Sequence, residues 1–155
     1  MLYINKEGKR AMSRQILKKE RIITDRLTLG SYRKEDRDRL AEMMRNPEIT
    51  ATFMVPDYSE EVQFYALADK LIEFSQINDT THLEYGVYLD GYMIGFVNDC
   101  GYDDEAIELG YVIDPAFKGR GFATEAVNAV INELHEMGFK KAVAGFLKEI
   151  SAAEK

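Results

Sequence analysis

Hydrophobic and polar positions change their period along this chain, and the changes mark its elements. Arg26-Leu-Thr-Leu-Gly-Ser-Tyr-Arg33 alternates apolar and polar residues, as a half-buried strand does. From Glu35 to Asn46 the spacing is helical, with Leu40, Met43 and Met44 on one face and Asn46-Pro47 as the stop. Val55-Pro-Asp-Tyr-Ser59 reads as a break. A second helix then follows, capped by Asp57 or Ser59, with Val62, Tyr65, Ala66, Leu71 and Ile72 on its apolar side.

The central stretch reads as β-structure. Glu84 to Leu89, Tyr92 to Asp99 and Ala106 to Ile113 are rich in Tyr, Val and Ile. Asp90-Gly91 between the first two predicts a two-residue hairpin turn, and Gly101 to Glu105 a longer one. Asp114-Pro115 ends the third strand, because proline gives no N–H to a ladder. Beyond Lys118-Gly-Arg-Gly121, residues Ala126, Val127, Val130, Ile131, Leu134 and Met137 repeat at three and four, which predicts a helix. Gly138 is placed to close it, and Phe139 to Leu147 reads as a further strand. A meander followed by helix and strand predicts an α+β fold with a mixed, mainly antiparallel central sheet flanked by helices.

At 155 residues and 46% hydrophobic content, the chain is of one-domain size and too apolar for disorder. No apolar run approaches the roughly 20 residues that span a bilayer, and Met1 to Arg10 lacks a secretory signal, so a cytoplasmic protein is expected. One cysteine and two histidines form no zinc pattern, and no metal is expected. The net charge of −7 argues against nucleic acid as a partner. Charge is unevenly spread: residues 1–21 carry seven basic side chains against Glu7 and Glu20. We therefore expect a basic N-terminal extension, residues 1–21, before a single acidic domain, residues 22–155. Such a body favours a cationic substrate, an amine for example.

The chemistry-bearing segment is Glu108-Leu-Gly-Tyr-Val-Ile-Asp-Pro-Ala-Phe-Lys-Gly-Arg-Gly-Phe-Ala-Thr-Glu125. A helix N-terminus offers unpaired N–H groups and about half a positive charge. Gly119 and Gly121 let backbone donors come close to a phosphate, Ala123 keeps the helix start narrow, and Lys118 and Arg120 add full charges. A plain turn with two surface cations is the bland alternative. A dinucleotide fingerprint needs glycine where Thr124 stands and a parallel βαβ context. A P-loop needs a Gly-Lys-Ser/Thr ending, which is absent.

Four pieces in order resemble the GNAT superfamily of N-acyltransferases, in particular its ribosomal-protein alanine acetyltransferase-like branch. These are Thr24-Asp-Arg-Leu-Thr-Leu29 with Glu35-Asp36, Tyr92-Met-Ile-Gly-Phe96, Glu108-Leu-Gly-Tyr-Val-Ile-Asp-Pro115, and Lys118-Gly-Arg-Gly-Phe-Ala123 followed by Thr124-Glu125-Ala126. The last is similar to that family's pyrophosphate loop, with Lys118 where Arg or Gln is usual. The resemblance implies transfer of an acetyl group from acetyl-CoA to a primary amine of a small molecule or a protein N-terminus. It implies that backbone groups of Val112 and Ile113 meet the pantetheine, and that Lys118, Gly119, Arg120, Gly121, Phe122, Ala123 and Thr124 hold the pyrophosphate. It makes Glu108 the candidate base, with Glu84 and Asp99 as lesser candidates.

The resemblance runs over roughly residues 24–147. Beyond it, Phe146-Leu-Lys-Glu-Ile-Ser-Ala-Ala-Glu-Lys155 lacks the family's usual last strands and the tyrosine that serves the leaving thiolate. A sheet without them exposes an edge, for which a homodimer or the basic extension is the expected cover. The alternative function is a CoA-binding or interaction module of the same fold with impaired catalysis.

Overall fold

The computed structural model describes residues 2–4, 10–12, 14–51, 56–144 and 148–149. A two-stranded antiparallel pair, β1 (Leu2–Ile4) and β2 (Arg10–Met12), stands apart from the main sheet. The main sheet has seven strands in sequence order: β3 (Arg21–Ile23), β4 (Thr28–Gly30), β5 (Glu84–Leu89), β6 (Tyr92–Tyr102), β7 (Ala106–Ile113), β8 (Lys141–Ala144) and β9 (Lys148–Glu149). All neighbours are antiparallel except β7 and β8, which run parallel. Helices α1 (Arg37–Arg45), α2 (Pro47–Thr50) and α3 (Glu61–Ser75) join β4 to β5, and α4 (Phe122–Glu136) makes the crossover from β7 to β8. The fold is thus mixed α+β with a mainly antiparallel sheet.

Each sheet face buries its own cluster, as alternation along the strands requires. Tyr85, Val87, Ile94, Val97, Ile107 and Leu109 pack with the apolar stripe of α4. Tyr88, Phe96 and Val112 pack on the other face with Leu40, Met43 and Met44 of α1 and Ile49 of α2. Turn chemistry sets the register. Asp90 and Gly91 both take positive φ, 51° and 83°, the geometry a two-residue hairpin favours. At the end of α4 the Gly138 N–H donates to His135 O and the Phe139 N–H to Leu134 O, a Schellman closure.

Several boundaries differ from the sequence reading. The expected strand over 26–33 is shorter, β4 at Thr28–Gly30, and pairs with β3 through a turn in which Thr24 Oγ1 accepts from the Leu27 N–H at 2.9 Å. The helix after the break starts later: Glu60 is its N-cap, and Gln63 Oε1 accepts from the Glu60 N–H at 2.9 Å. The β-run from Phe139 begins at Lys141, and its expected end, residues 145–147, lies outside the described residues, as do Val55 of the break and the tail from residue 150.

The second half of the basic extension is tied to the body. Ile16 is fully buried in the α4-side core, and its N–H donates to Thr80 O at 2.8 Å. Arg14 donates to Asp104 O at 2.6 Å and to Met137 O, and its guanidinium lies over Phe139. Lys18 donates to Phe74 O at 2.8 Å, and Lys19 pairs with Glu133 and Glu136.

Candidate active site

Among the described residues the parallel pairing of β7 with β8 runs from Ala106 to Leu109, and Gly110 to Ile113 have no described strand partner on that side. On its other side β7 stays paired to β6 as far as Ile113. The Asp114 N–H donates to Ile94 O at 2.7 Å. Alternation along this antiparallel ladder then turns the N–H and C=O of Val112 toward β6, and those of Tyr111 and Ile113 to the side away from β6. Gly95 is required here, because a Cβ would run into the Val112 carbonyl.

A cavity of about 360 Å³ opens beside this edge. Its walls are Tyr111, Val112 and Ile113 of β7, Phe117 to Gly119 of the following turn, Gly121 to Thr124 at the start of α4, and Glu48 and Ile49 of α2. Gly119 and Gly121 both take left-handed φ, 80° and 79°, and a Cβ at Gly119 would meet nothing within 4 Å. Gly121 is the N-cap of α4, so no side chain occupies the first-turn N–H groups as a cap. Neither Lys118 nor Arg120 makes an ion pair among the described residues. A phosphate-sized anion would find backbone donors, a helix dipole and the Lys118 cation together.

The turn is braced from two sides. Asp114 accepts from the Ala116 N–H at 2.9 Å and from Arg39 Nη2 at 2.5 Å, which fixes the exit from β7. Arg26 Nη1 donates to Arg120 O at 2.8 Å, its Nε to Glu125 Oε1 at 2.7 Å, and its guanidinium lies over Phe122. Glu125 also accepts from Thr24 Oγ1 and from the Arg26 N–H. Thr24, Arg26 and Glu125, separate motifs in the sequence, are one buttress.

Of the residues read from the sequence as cofactor contacts, Val112, Ile113, Lys118, Gly119, Gly121, Phe122, Ala123 and Thr124 line this cavity. The backbone groups of Val112, expected to meet the pantetheine, turn to β6. Arg120 stands outside the lining. Arg120 instead holds the turn through its carbonyl and lies over Phe117. The wall from α2 was missed. Asn46-Pro47 reads as a helix stop, yet Asn46 Oδ1 accepts from the Glu48 N–H at 3.0 Å and Pro47 starts a new turn. An Asn cap with proline at the first helical position was the available signal.

Glu108 is exposed and lies outside this lining, on a shallow depression with Gly101, Tyr102, Lys141 and Val143. It pairs with Val143 of β8 and lies on the same β7 face as Gly110 and Val112. Glu84 lies on this face two strands away. It is 3% exposed and accepts from Tyr32 Oη at 2.5 Å. Burial pushes its carboxyl up to about 8, with Asp99 adding to the rise and Tyr32, Lys18 and Asn98 opposing it. Burial raises Asp99 as well, against hydrogen bonds from the Leu83 N–H and His82. Among the described residues no group of three or more His, Cys, Asp or Glu gathers as a metal site would.

The raised Glu84 carboxyl has a consequence for stability. The folded chain holds this proton up to about 8 and the unfolded chain only to its ordinary 4.5, so stability falls as pH rises through that window. Glu84→Gln cannot titrate and should flatten the slope, by about 4 kcal/mol between pH 5 and 8.5. Urea midpoints at pH 5 and 8.5 measure this; equal slopes in both proteins would assign the titration elsewhere.

The family model for the acetyltransferase (GNAT) domain matches residues 26–153. The uncharacterized N-acetyltransferase p20 of Bacillus licheniformis is 26% identical over 118 residues, a match covering 73% of this chain and 65% of that protein. The chain thus spans just under two thirds of this relative's length. Among solved structures, a ribosomal L7/L12 alpha-N-protein acetyltransferase in complex with coenzyme A superposes with a TM-score of 0.67 at 17% identity, over 81% of this chain and 73% of that one. A GNAT-family acetyltransferase from Bacillus anthracis gives 0.65 at 18% identity, over 80% and 72%. At these identities the superpositions speak for the fold.

Proposed function

Because the chain belongs to the GNAT acetyltransferase family, we propose that it transfers the acetyl group of acetyl-CoA to a primary amine of a small molecule or a protein N-terminus. One observation carries the reading. A single cavity combines Tyr111 to Ile113 of β7 with an α4 N-terminus opened by two left-handed glycines. The pyrophosphate would rest on residues 118–124, and the pantetheine amides would add to β7 as an extra strand at Tyr111 and Ile113. Since the described pairing of β8 with β7 reaches Leu109, the thioester would end near Gly110, beside Glu108. The similar L7/L12 acetyltransferase, whose structure holds coenzyme A, is consistent with that ligand.

In this reading the amine attacks the thioester carbonyl, the C–N bond forms, and the C–S bond breaks with coenzyme A leaving as thiolate. A backbone N–H of β7 stabilises the developing oxyanion. An alkylamine is mostly protonated near neutral pH, so its proton must first leave, and Glu108 is the carboxylate we assign to receive it, directly or through water. A cytoplasmic location follows from the cosubstrate. A homodimer belongs to the same proposal: β3 is an edge strand whose Ile23 is 73% exposed. Among the described residues no helix is long and apolar enough to cross a membrane.

The test is thiol release from acetyl-CoA with and without a panel of primary amines, beside melting curves with acetyl-CoA. We expect a higher melting temperature with acetyl-CoA and thiol release that depends on the amine. Stabilisation without release would favour the impaired CoA-binding module. No stabilisation at saturating acetyl-CoA would remove the cofactor itself.

A further inference from the structure

One wall of the cofactor cavity has no part in the reading above. Helix α2 supplies Glu48 and Ile49 to a lining otherwise made by β7, the turn after it and the start of α4. Ile49 is 3% exposed and packs with Phe96 and Val112 in the core of that sheet face. The Glu48 N–H donates to Asn46 Oδ1 at 3.0 Å, and Pro47 fixes the first helical position. Glu48 is therefore placed by its backbone, one residue from a core anchor, and is itself exposed.

Glu48 is the only carboxylate in this lining, and Lys118 is the only cation. They share a cavity of about 360 Å³, yet no ion pair joins them, and the Glu48 carboxylate has no hydrogen bond among the described residues. The volume is near the lower end of the roughly 300–1,000 Å³ usual for ligand pockets, so an arm threaded through it touches opposite walls. Between its thiol and its pyrophosphate, coenzyme A carries two amide N–H groups and, next to the pyrophosphate, a hydroxyl beside two methyl groups. Strand addition to β7 uses the amides. The hydroxyl falls where the arm leaves β7 at Ile113 for the turn at Phe117 and Lys118, and a hydroxyl taken out of water needs a partner.

Resting on the cofactor reading above, we propose that Glu48 holds the pantetheine arm, its carboxylate accepting from the hydroxyl next to the pyrophosphate while Ile49 and Phe117 receive the two methyl groups. The cavity then grips the cofactor with charges of opposite sign. Lys118 and the α4 N-terminus take the pyrophosphate, whereas Glu48 takes the neutral arm and repels a phosphate from its own wall. The cofactor is left one way to lie, with its phosphates at α4 and its thioester toward Gly110.

The experiment titrates wild type, Glu48→Ala and Glu48→Gln with acetyl-CoA and with 3′-phosphoadenosine diphosphate, which is coenzyme A without its pantetheine arm. Melting temperatures of the free proteins are measured beside them. We expect Glu48→Ala to bind acetyl-CoA about 20-fold more weakly, within the range of a lost hydrogen bond to a charged group. The same variant should bind 3′-phosphoadenosine diphosphate no more weakly than wild type, because that ligand loses only a repulsive charge from its surroundings. Glu48→Gln keeps an oxygen that accepts, so its acetyl-CoA Kd should stay within about threefold of wild type. Equal weakening in both variants with a lowered melting temperature would make Glu48 a support of α2 alone. Equal tightening of both ligands would make it a repulsive charge alone, and an unchanged acetyl-CoA Kd in Glu48→Ala would mean no contact. Each of these three results overturns the proposal and leaves the cofactor reading standing. Wild type that binds no acetyl-CoA overturns that reading and this contact with it.

Discussion

Glu108→Gln is expected to lower kcat about 10³-fold, inside the range usual for loss of a general base. The glutamine is nearly isosteric, so packing is preserved, but its amide cannot take up a proton. Glu108 is exposed and lies outside the lining of the cavity at Tyr111 to Thr124. Its replacement should therefore leave the acetyl-CoA Kd within about twofold, and the whole effect should appear in kcat. Rates near wild type would move the role to another carboxylate, and Glu84 is the next one on this face.

What was legible in the sequence was what short-range chemistry dictates. Asp90-Gly91 permits a positive φ at two successive residues, so it announced its hairpin. The stripe of α4 is long and regular, and Gly138 closes it as its position suggested. The glycine-bearing turn at 118–121 also carries its meaning locally, since left-handed φ and unpaired N–H groups are properties of a few adjacent residues. Elements of three or four residues were not legible: β3 and α2 are too short to develop a period.

The uneven charge before residue 22 reports how the surface is solvated, and it is silent about packing. Ile16, set between basic residues, is nonetheless fully buried. Most opaque of all was register. The alignment of Glu84, Asn98 and Gly110 across β5, β6 and β7 depends on a two-residue hairpin turn, on the irregularity between Val87 and Tyr88, and on another between Asp99 and Gly101. A slip of one residue would turn every one of these side chains to the opposite face, and no local pattern marks where bulges fall. The same holds for the buttress of Thr24, Arg26 and Glu125, in which Glu125 is 101 and 99 positions from the other two.

Gly119→Asp should weaken acetyl-CoA binding by more than about 100-fold without unfolding the protein. A Cβ at Gly119 would meet nothing within 4 Å, so the side chain starts into open space. The position needs a left-handed backbone, φ 80°, which aspartate tolerates better than most residues at a cost of about 1 kcal/mol. Gly119 lines the cavity beside Lys118 and the first turn of α4, so the new carboxylate would face the proposed pyrophosphate seat. Two like unit charges about 5 Å apart repel by about 3 kcal/mol at an effective dielectric constant near 20, and the pyrophosphate carries more than one. The carboxylate would also compete for the helix N–H groups that the anion needs. Gly119→Asn isolates the electrostatic part, because it makes the same backbone demand with no charge, and it should lose only a few-fold. Titration of both variants with acetyl-CoA, followed by calorimetry at low and high salt, reads the difference, which should narrow as salt screens the repulsion. Equal binding by the two variants would mean that no phosphate lies against this turn, and the cofactor would have to enter the cavity some other way.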